Sequence, residues 1–299
     1  KPRNKNISND YRKGNIMVEE FSIRFVNLGI TIEELSKGIS IFGFEVAFYG
    51  IIIGLGILLG ILMAVREAKI TGQNADDYYD LAIYAIIFAI LGARIYYVIF
   101  EWDYYKDNLA QVINLRAGGL AIYGGIIASV ITLIIFAKKK KLSPYQMLDT
   151  AVLGLVLGQI IGRWGNFINR EAFGGFTENL FAMQLRRSEV YAGNITQEII
   201  DNIVTVNGIE YIQVHPTFLY ESMWNIGVLI LLMIYKKHKK FHGEVFCLYL
   251  IFYGIGRAWI EGLRTDQLQL YGFAVSQVLS VTLVIVVSIY LIVRRKNLK

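Results

Sequence analysis

The chain has 299 residues, of which 55% are hydrophobic and 18% charged, with a formal net charge of +6 and a mean hydropathy of +0.46. Soluble domains carry about 25% charged residues, and here the apolar excess falls in continuous blocks of roughly 20 residues, which excludes an ordinary soluble domain and a barrel of alternating strands in favour of a polytopic helical membrane protein. The single cysteine, Cys247, permits no intrachain disulfide and argues against a cysteine metal site; three histidines (His215, His238, His242) argue against a histidine-rich one; and the basic residues cluster in loops, a mark of membrane topology rather than nucleic-acid binding.

Residues 1–16 are polar and basic and do not read as a cleavable signal peptide. They are expected to be a disordered extension or a misassigned start, with the functional protein beginning at Met17 and an extracytoplasmic segment over 17–41. Apolar spans are predicted at about 42–65, 79–100, 119–137 and 145–162, each of a length that crosses a bilayer. The stretch from Glu101 to Arg116 is polar and aromatic and is expected along the interface. After the fourth span comes a polar segment, 170–214, read as a small head. Three further spans are predicted at about 216–235, 244–263 and 271–293. The expected fold is therefore all-α, with seven transmembrane helices in two groups (42–169 and 215–299) around an extracytoplasmic head.

Cytoplasmic loops are rich in Lys and Arg. In a seven-span arrangement the clusters Lys138–Lys141, Lys236–Lys240 and Arg294–Lys296 fall on one side, with Arg66 to Lys69. This predicts a cytoplasmic C-terminus, an outer N-terminus, and the 170–214 segment outside.

The candidate chemistry lies at that outer side. Gly162-Arg163-Trp164-Gly165-Asn166-Phe167-Ile168-Asn169-Arg170-Glu171-Ala172-Phe173-Gly174-Gly175 closes the fourth span. A guanidinium at the edge of a bilayer is costly unless paired, which makes Arg163 a functional candidate, and the glycines are expected to let the chain turn sharply and a ligand approach. In the sixth span Arg257, Glu261 and Arg264 share one helical face, and two arginines with one glutamate predict a surplus positive charge there. Arginine forks suit phosphate oxygens, so the expected ligand is an anion at headgroup depth, against the plainer alternative of a structural ion-pair network. Glu221 is expected to pair with an arginine. His215, at the entrance to the fifth span, is a candidate proton acceptor or headgroup ligand, although a lone histidine is more often structural. Arg94 and Tyr123 are candidates for a polar cavity, while the adjoining glycines are equally explained by close helix packing. Tyr49 has the weakest independent case. No Ser–His–acid arrangement, phosphate loop or zinc motif is visible.

These blocks resemble the bacterial prolipoprotein diacylglyceryl transferase family. The run Gly162–Gly174 closely resembles its signature, and His215-Pro216-Thr217 through Glu221, and Gly256-Arg257 through Arg264, resemble two more of its blocks in the family's order over about 20–295. The resemblance implies a seven-helix enzyme of the bacterial plasma (inner) membrane that moves diacylglycerol from phosphatidylglycerol to the lipobox cysteine of a preprolipoprotein. It further implies that Arg163 binds the lipid phosphate and that Arg257 is a second essential arginine. Asn166, Glu171, Gly174 and Tyr49 match other important positions. Many members carry a histidine, proposed as the base, where this chain has Tyr123.

In such a reaction the leaving glycerol phosphate gains negative charge as the C–O bond breaks, and arginines fixed in a water-poor cavity stabilise that charge beyond the ground state. A free thiol titrates near ~8.5, so a base helps; Tyr123, His215 and Glu171 are the candidates, and the residues alone do not choose among them. The remaining site candidates, Arg94, Glu261 and Arg264, would line the substrate cavity. The partners implied are phosphatidylglycerol, the signal peptide with its lipobox cysteine, and membrane lipid, with no nucleic acid; the chemistry calls for no metal or cofactor. The competing readings are a transporter of an anionic lipid or solute, and a structural lipid-binding scaffold.

Overall fold

The computed structural model describes residues 20–115, 118–270 and 272–298; the stretch 1–16 and the start expected at Met17 lie outside them. The helices are α1 (Phe48–Ile70), α2 (Ala75–Phe100), the single turn α3 (Trp102–Tyr105), α4 (Ile122–Lys140), α5 (Pro144–Asn169), the short α6 (Gln197–Asp201), α7 (Thr217–Tyr235), α8 (Glu244–Glu261) and α9 (Val275–Lys296). Among the described residues six helices, α1, α2, α4, α5, α7 with its following turn, and α9, are long and apolar enough to cross a membrane. Helix α8 is outside that group: its 18 residues include Glu244, Arg257 and Glu261.

The ends of these helices follow from local chemistry. Asn74 caps α2 by accepting from the Asp76 N–H at 3.2 Å, and Asp76 and Asp77 occupy the first turn, where the helix dipole favours negative charge. Lys138, Lys139 and Lys140 occupy the last turn of α4, where it favours positive charge.

The fold is mostly helical but not all-α. Strands β1 (Ile23–Phe25), β2 (Ile30–Ile32), β5 (Met183–Arg186), β6 (Val204–Val206) and β7 (Ile209–Val214) form one antiparallel sheet in the order β2-β1-β5-β7-β6. Strands β3 (Gly38–Ile41) and β4 (Phe44–Ala47) form a hairpin leading straight into α1, and β8 (Gln269–Leu270) and β9 (Phe273–Ala274) form another before α9. The segment 170–214 is thus only part of a larger sheet that also takes strands from 17–41. Its strands are too short to show as apolar blocks, yet they carry period-two patterns. Asn207 and Gly208 have φ of 50° and 82° between β6 and β7, the left-handed pair that a two-residue hairpin turn requires. Register places Ile23 opposite Leu185, and Leu185 opposite Ile212. Ile23, Leu185, Ile212 and Val214 are fully buried with Ile199, Phe173 and Phe218. On the other face Gln184 bonds its cross-strand partner Gln213 at 3.0 Å.

The chain divides into two compact units. One holds the described residues up to Leu58, with Val156–Lys237 and everything from Cys247 onward; it contains the large sheet. The other holds Leu59–Leu155 and His238–Phe246. Within the second unit α2 and α4 touch backbone to backbone: a Cβ on Gly92 would lie 2.8 Å from the Gly124 carbonyl oxygen, which is the close approach that small residues allow in a membrane.

Candidate active site

Helix α5 does not stop at the glycine-rich run but continues through it to Asn169. Gly162 and Gly165 are therefore helical rather than turning. A Cβ on Gly165 would sit 2.8 Å from the Tyr49 ring, so this glycine makes room for the first turn of α1. The sharp turn comes later and at non-glycine residues: Arg170 and Ala172 have φ of 56° and 55°. Arg170 is buried, forms an ion pair with Glu189 at 2.6 Å, donates to the Ile168 carbonyl at 2.9 Å, and also reaches the Leu35 carbonyl. It fixes the turn that leaves α5. Burial pulls its pKa down, partly countered by Glu189.

Gly174 lies between two other segments. Its N–H donates to the His215 carbonyl at 3.0 Å, and the Gly175 N–H donates to the Leu263 carbonyl at 2.9 Å. A Cβ on Gly174 would meet the Leu263 oxygen at 2.7 Å and the His215 Cβ at 2.8 Å. The residue is a backbone clamp joining the end of the α5 turn, the entrance to α7 and the exit of α8, and its own N–H is already taken.

Helix packing then sets the register of the charged side chains. Phe167 and Phe218 lie 4.6 Å apart between α5 and α7. Trp224 of α7 bonds the Phe252 carbonyl of α8 at 2.9 Å, and a Cβ on Gly256 would collide with its indole. The result is that Arg163 Nη2 meets Glu221 Oε2 at 2.7 Å while Arg257 Nη1 meets Glu221 Oε1 at 3.1 Å. Arg257 also pairs with Glu261 at 2.5 Å. Arg264 reaches Glu221 at 3.8 Å and Glu261 at 3.9 Å, and binds Asp266. Asn166 links Arg163, at 3.4 Å, to Glu171, at 2.8 Å. Glu221 and Glu261 are buried; Glu171 is exposed.

The sequence led us to expect a surplus positive charge. Instead the three guanidinium groups of Arg163, Arg257 and Arg264 meet the three carboxylates of Glu221, Glu261 and Asp266. Glu221 arrives from a neighbouring helix and Asp266 from beyond the end of α8, so neither belongs to the face read from the α8 spacing. Burial alone would lower the Arg264 pKa; the hydrogen bond and charge of Asp266, with Glu261 and Glu221, raise it instead. Burial pushes the Asp266 carboxyl up, but Arg264 beside it holds it below its ordinary value.

His215 is half-buried, with Nδ1 at 3.3 Å from both Asn179 Nδ2 and the Tyr220 hydroxyl. Burial lowers its pKa, with only a partial counter-effect from Glu198, and so favours the neutral ring. Tyr49, Arg163, Asn166, Glu171, Gly174, His215, Arg257, Glu261 and Arg264 all fall in the unit that holds the large sheet; Arg94 and Tyr123 fall in the other. Tyr123 sits in the first turn of α4. Arg94 is 6% exposed and all its N–H groups are used on backbone carbonyls: Nε on Val112, Nη1 on Gly118 and Gly119, Nη2 on Gln111 and Asn114. Arg94 thereby holds the loop between α3 and α4. Among the described residues no group of three or more His, Cys, Asp or Glu side chains is gathered as metal ligands.

Two guanidinium groups that converge on the two oxygens of one buried carboxylate are also arranged to take two oxygens of a phosphate. This is a helical membrane protein whose central polar feature is an arginine–carboxylate cluster suited to an anionic headgroup. Residues 37–293 match the model of the family described as prolipoprotein diacylglyceryl transferase. The chain is 47% identical over 253 residues to the phosphatidylglycerol–prolipoprotein diacylglyceryl transferase of Bacillus mycoides, covering 85% of this chain and 89% of that protein. Proteins of the same name from Bacillus cereus and Bacillus anthracis align with the same identity and coverage. The chain belongs to the prolipoprotein diacylglyceryl transferase family, as its motifs led us to expect.

Proposed function

We propose that this protein transfers the diacylglyceryl group of phosphatidylglycerol to the lipobox cysteine of a prolipoprotein. The observation that carries the proposal is the shared grip of Arg163 and Arg257 on Glu221. A phosphodiester entering there exchanges with the carboxylate. The cysteine sulfur attacks the glyceryl C3 carbon, the C–O bond to phosphate breaks, a thioether forms, and glycerol phosphate departs with the bonding electron pair. The departing phosphate goes from one negative charge to nearly two. Guanidinium groups held in place by Glu261 and Asp266 stabilise that growth without reorganising.

The thiol proton needs an acceptor. The burial that favours a neutral His215 ring supports that role, Glu171 offers a carboxylate hydrogen-bonded to Asn166, and Tyr123 offers only a phenol, the least suitable acceptor of the three. On this reading α8 is a seventh span whose charges are tolerated because the cluster pairs them. The basic loops at 138–141, 236–240 and 294–296 then face the cytoplasm of a bacterial cell, with the large sheet outside and lipid entering laterally.

The test is reconstitution of the purified protein with phosphatidylglycerol and a lipobox peptide, reading the thioether product by mass. Arg257→Ala should lower kcat/KM by 10²–10³-fold or about 2.7–4 kcal/mol, and Arg257→Lys should recover only part of it, because a point charge cannot bridge two oxygens. Near-normal transfer by the Ala variant would refute the clamp. Lipid movement without thioether would mean a transporter.

A further inference from the structure

One turn beneath the arginine grip, α7 carries Asn225. Its side chain is 2% exposed, and its Nδ2 has no hydrogen-bond partner among the described residues. A buried donor without an acceptor is costly, and each such group in a native fold calls for an explanation. Asn225 is four residues after Glu221 on the same helix, a spacing that puts their Cβ atoms about 5–6 Å apart. Helical side chains lean toward the N-terminus, so Asn225 covers the turn that carries the Cβ of Glu221.

Charge balance gives this pairing a purpose. With three arginines already matched by Glu221, Glu261 and Asp266, an anionic lipid that takes the inward-facing Arg163 Nη2 and Arg257 Nη1 has to displace the Glu221 oxygens that now sit on them. The carboxylate then has to find another donor without leaving a buried interior. Ser222, beside it on α7, already gives its hydroxyl to the Ile160 carbonyl at 3.3 Å. Arg264 Nη1 stands 3.8 Å from Glu221 Oε1. Asn225 Nδ2 is a buried donor with no partner among the described residues.

We propose that Asn225 is a positioning residue that receives the Glu221 carboxylate when a phosphodiester headgroup takes Arg163 and Arg257. Glu221 is then a two-position latch: on the arginines without lipid, on Asn225 and Arg264 with it. No bond is made or broken and no proton moves. The inference rests on the phosphatidylglycerol reading above.

The test uses full-length protein in detergent, wild type and Asn225→Leu, with phosphatidylglycerol binding, transfer kinetics and lipid-free melting all measured. Losing a hydrogen bond to a charged group in the lipid-bound state alone should raise both Kd and KM for phosphatidylglycerol about ten-fold or more. kcat should change by less than about three-fold, because binding is lost equally from ground and transition states. The lipid-free melting temperature should stay level or rise, since leucine removes an unmade donor. Asn225→Gln, which keeps the donor, should recover most of the affinity. An Asn225→Leu protein with wild-type Kd, or one whose melting temperature and kcat fall while KM holds, overturns the latch; the second pattern is that of a merely structural amide. If the Leu variant does not fold, Asn225→Asp decides: a second carboxylate must weaken lipid binding, and unchanged affinity overturns the proposal. Wild-type protein that binds the lipid, with dependence on residue 225, but makes no thioether would end the transferase reading and leave the latch standing. No lipid binding at all would end both.

Discussion

Arg264 and Asp266 grip each other at two points, Nε to Oδ1 at 2.8 Å and Nη2 to Oδ2 at 2.7 Å, beyond the last turn of α8. The fork anchors the end of the arginine cluster that follows α8. Because Arg264 holds the Asp266 carboxyl below its ordinary value, the unfolded chain binds its proton first as the pH falls. The stabilisation is fully present above about pH 3.9, the unfolded value, and is lost as the pH falls through the lower folded value. Melting curves between pH 3 and pH 7 should therefore show an acid-side loss that is shallower in Asp266→Asn, a variant that melts lower at neutral pH.

His215 obeys the opposite charge logic with the same slope. Burial lowers its pKa, so between about pH 6.5 and the lower folded value the unfolded chain carries the extra proton. Stability should decline as the pH falls through that window and be indifferent to this residue above it. Proton NMR of the imidazole should give a midpoint below that of a free histidine, and His215→Asn should remove that part of the decline. A midpoint above 6.5 would contradict the burial seen here.

Arg94 should matter to folding and not to lipid affinity. Arg94→Ala strands five backbone carbonyls at once, those of Gln111, Val112, Asn114, Gly118 and Gly119. The five residues are partly buried or exposed, so water can replace some of the lost bonds, and the variant should lose roughly 1–3 kcal/mol of stability. Protease sensitivity should appear in the loop between α3 and α4. The KM for phosphatidylglycerol in the surviving folded fraction should be unchanged.

Gly174→Ala should uncouple the site from its support. The added methyl faces the Leu263 carbonyl and the His215 Cβ, both under 3 Å away, and neither is the end of a flexible side chain. Overpacking of this kind costs about 1–3 kcal/mol, but the larger effect should be on turnover, because the clamp sets where His215 and Arg264 lie. The expected outcome is kcat reduced well beyond the loss in melting temperature; a variant that melts lower yet turns over normally would refute the clamp's role.

The long helices were legible because a bilayer span is a long signal. The predicted segments fall on α1, α2, α4, α5, α7, α8 and α9, with the first one starting early because apolar Ile41, Phe42 and Phe44 belong to the β3–β4 hairpin. The sheet was missed because its strands run three to six residues and pair across long stretches of chain, although Asn207-Gly208 between two β-branched runs was a readable hairpin signal. Arg163, Arg257 and Glu221 stood out as charges in apolar surroundings. Their mutual geometry did not, because one-helix spacing says nothing about which carboxylate a neighbouring helix brings. Arg94 shows the same limit: a buried arginine in a sequence announces that partners exist, not whether they are substrate oxygens or the chain's own carbonyls.

The pairing of β1 with β5 has a consequence for biosynthesis. Ile23 and Leu185 are cross-strand neighbours, yet α1, α2, α4 and α5 are all translated between them. The first hairpin must therefore stand with an open edge while the helices are made, and the sheet zips shut only when residue 185 has emerged. A ribosome stalled before that point would leave a nascent chain whose first strands stand unpaired and open to any chaperone that binds strand edges.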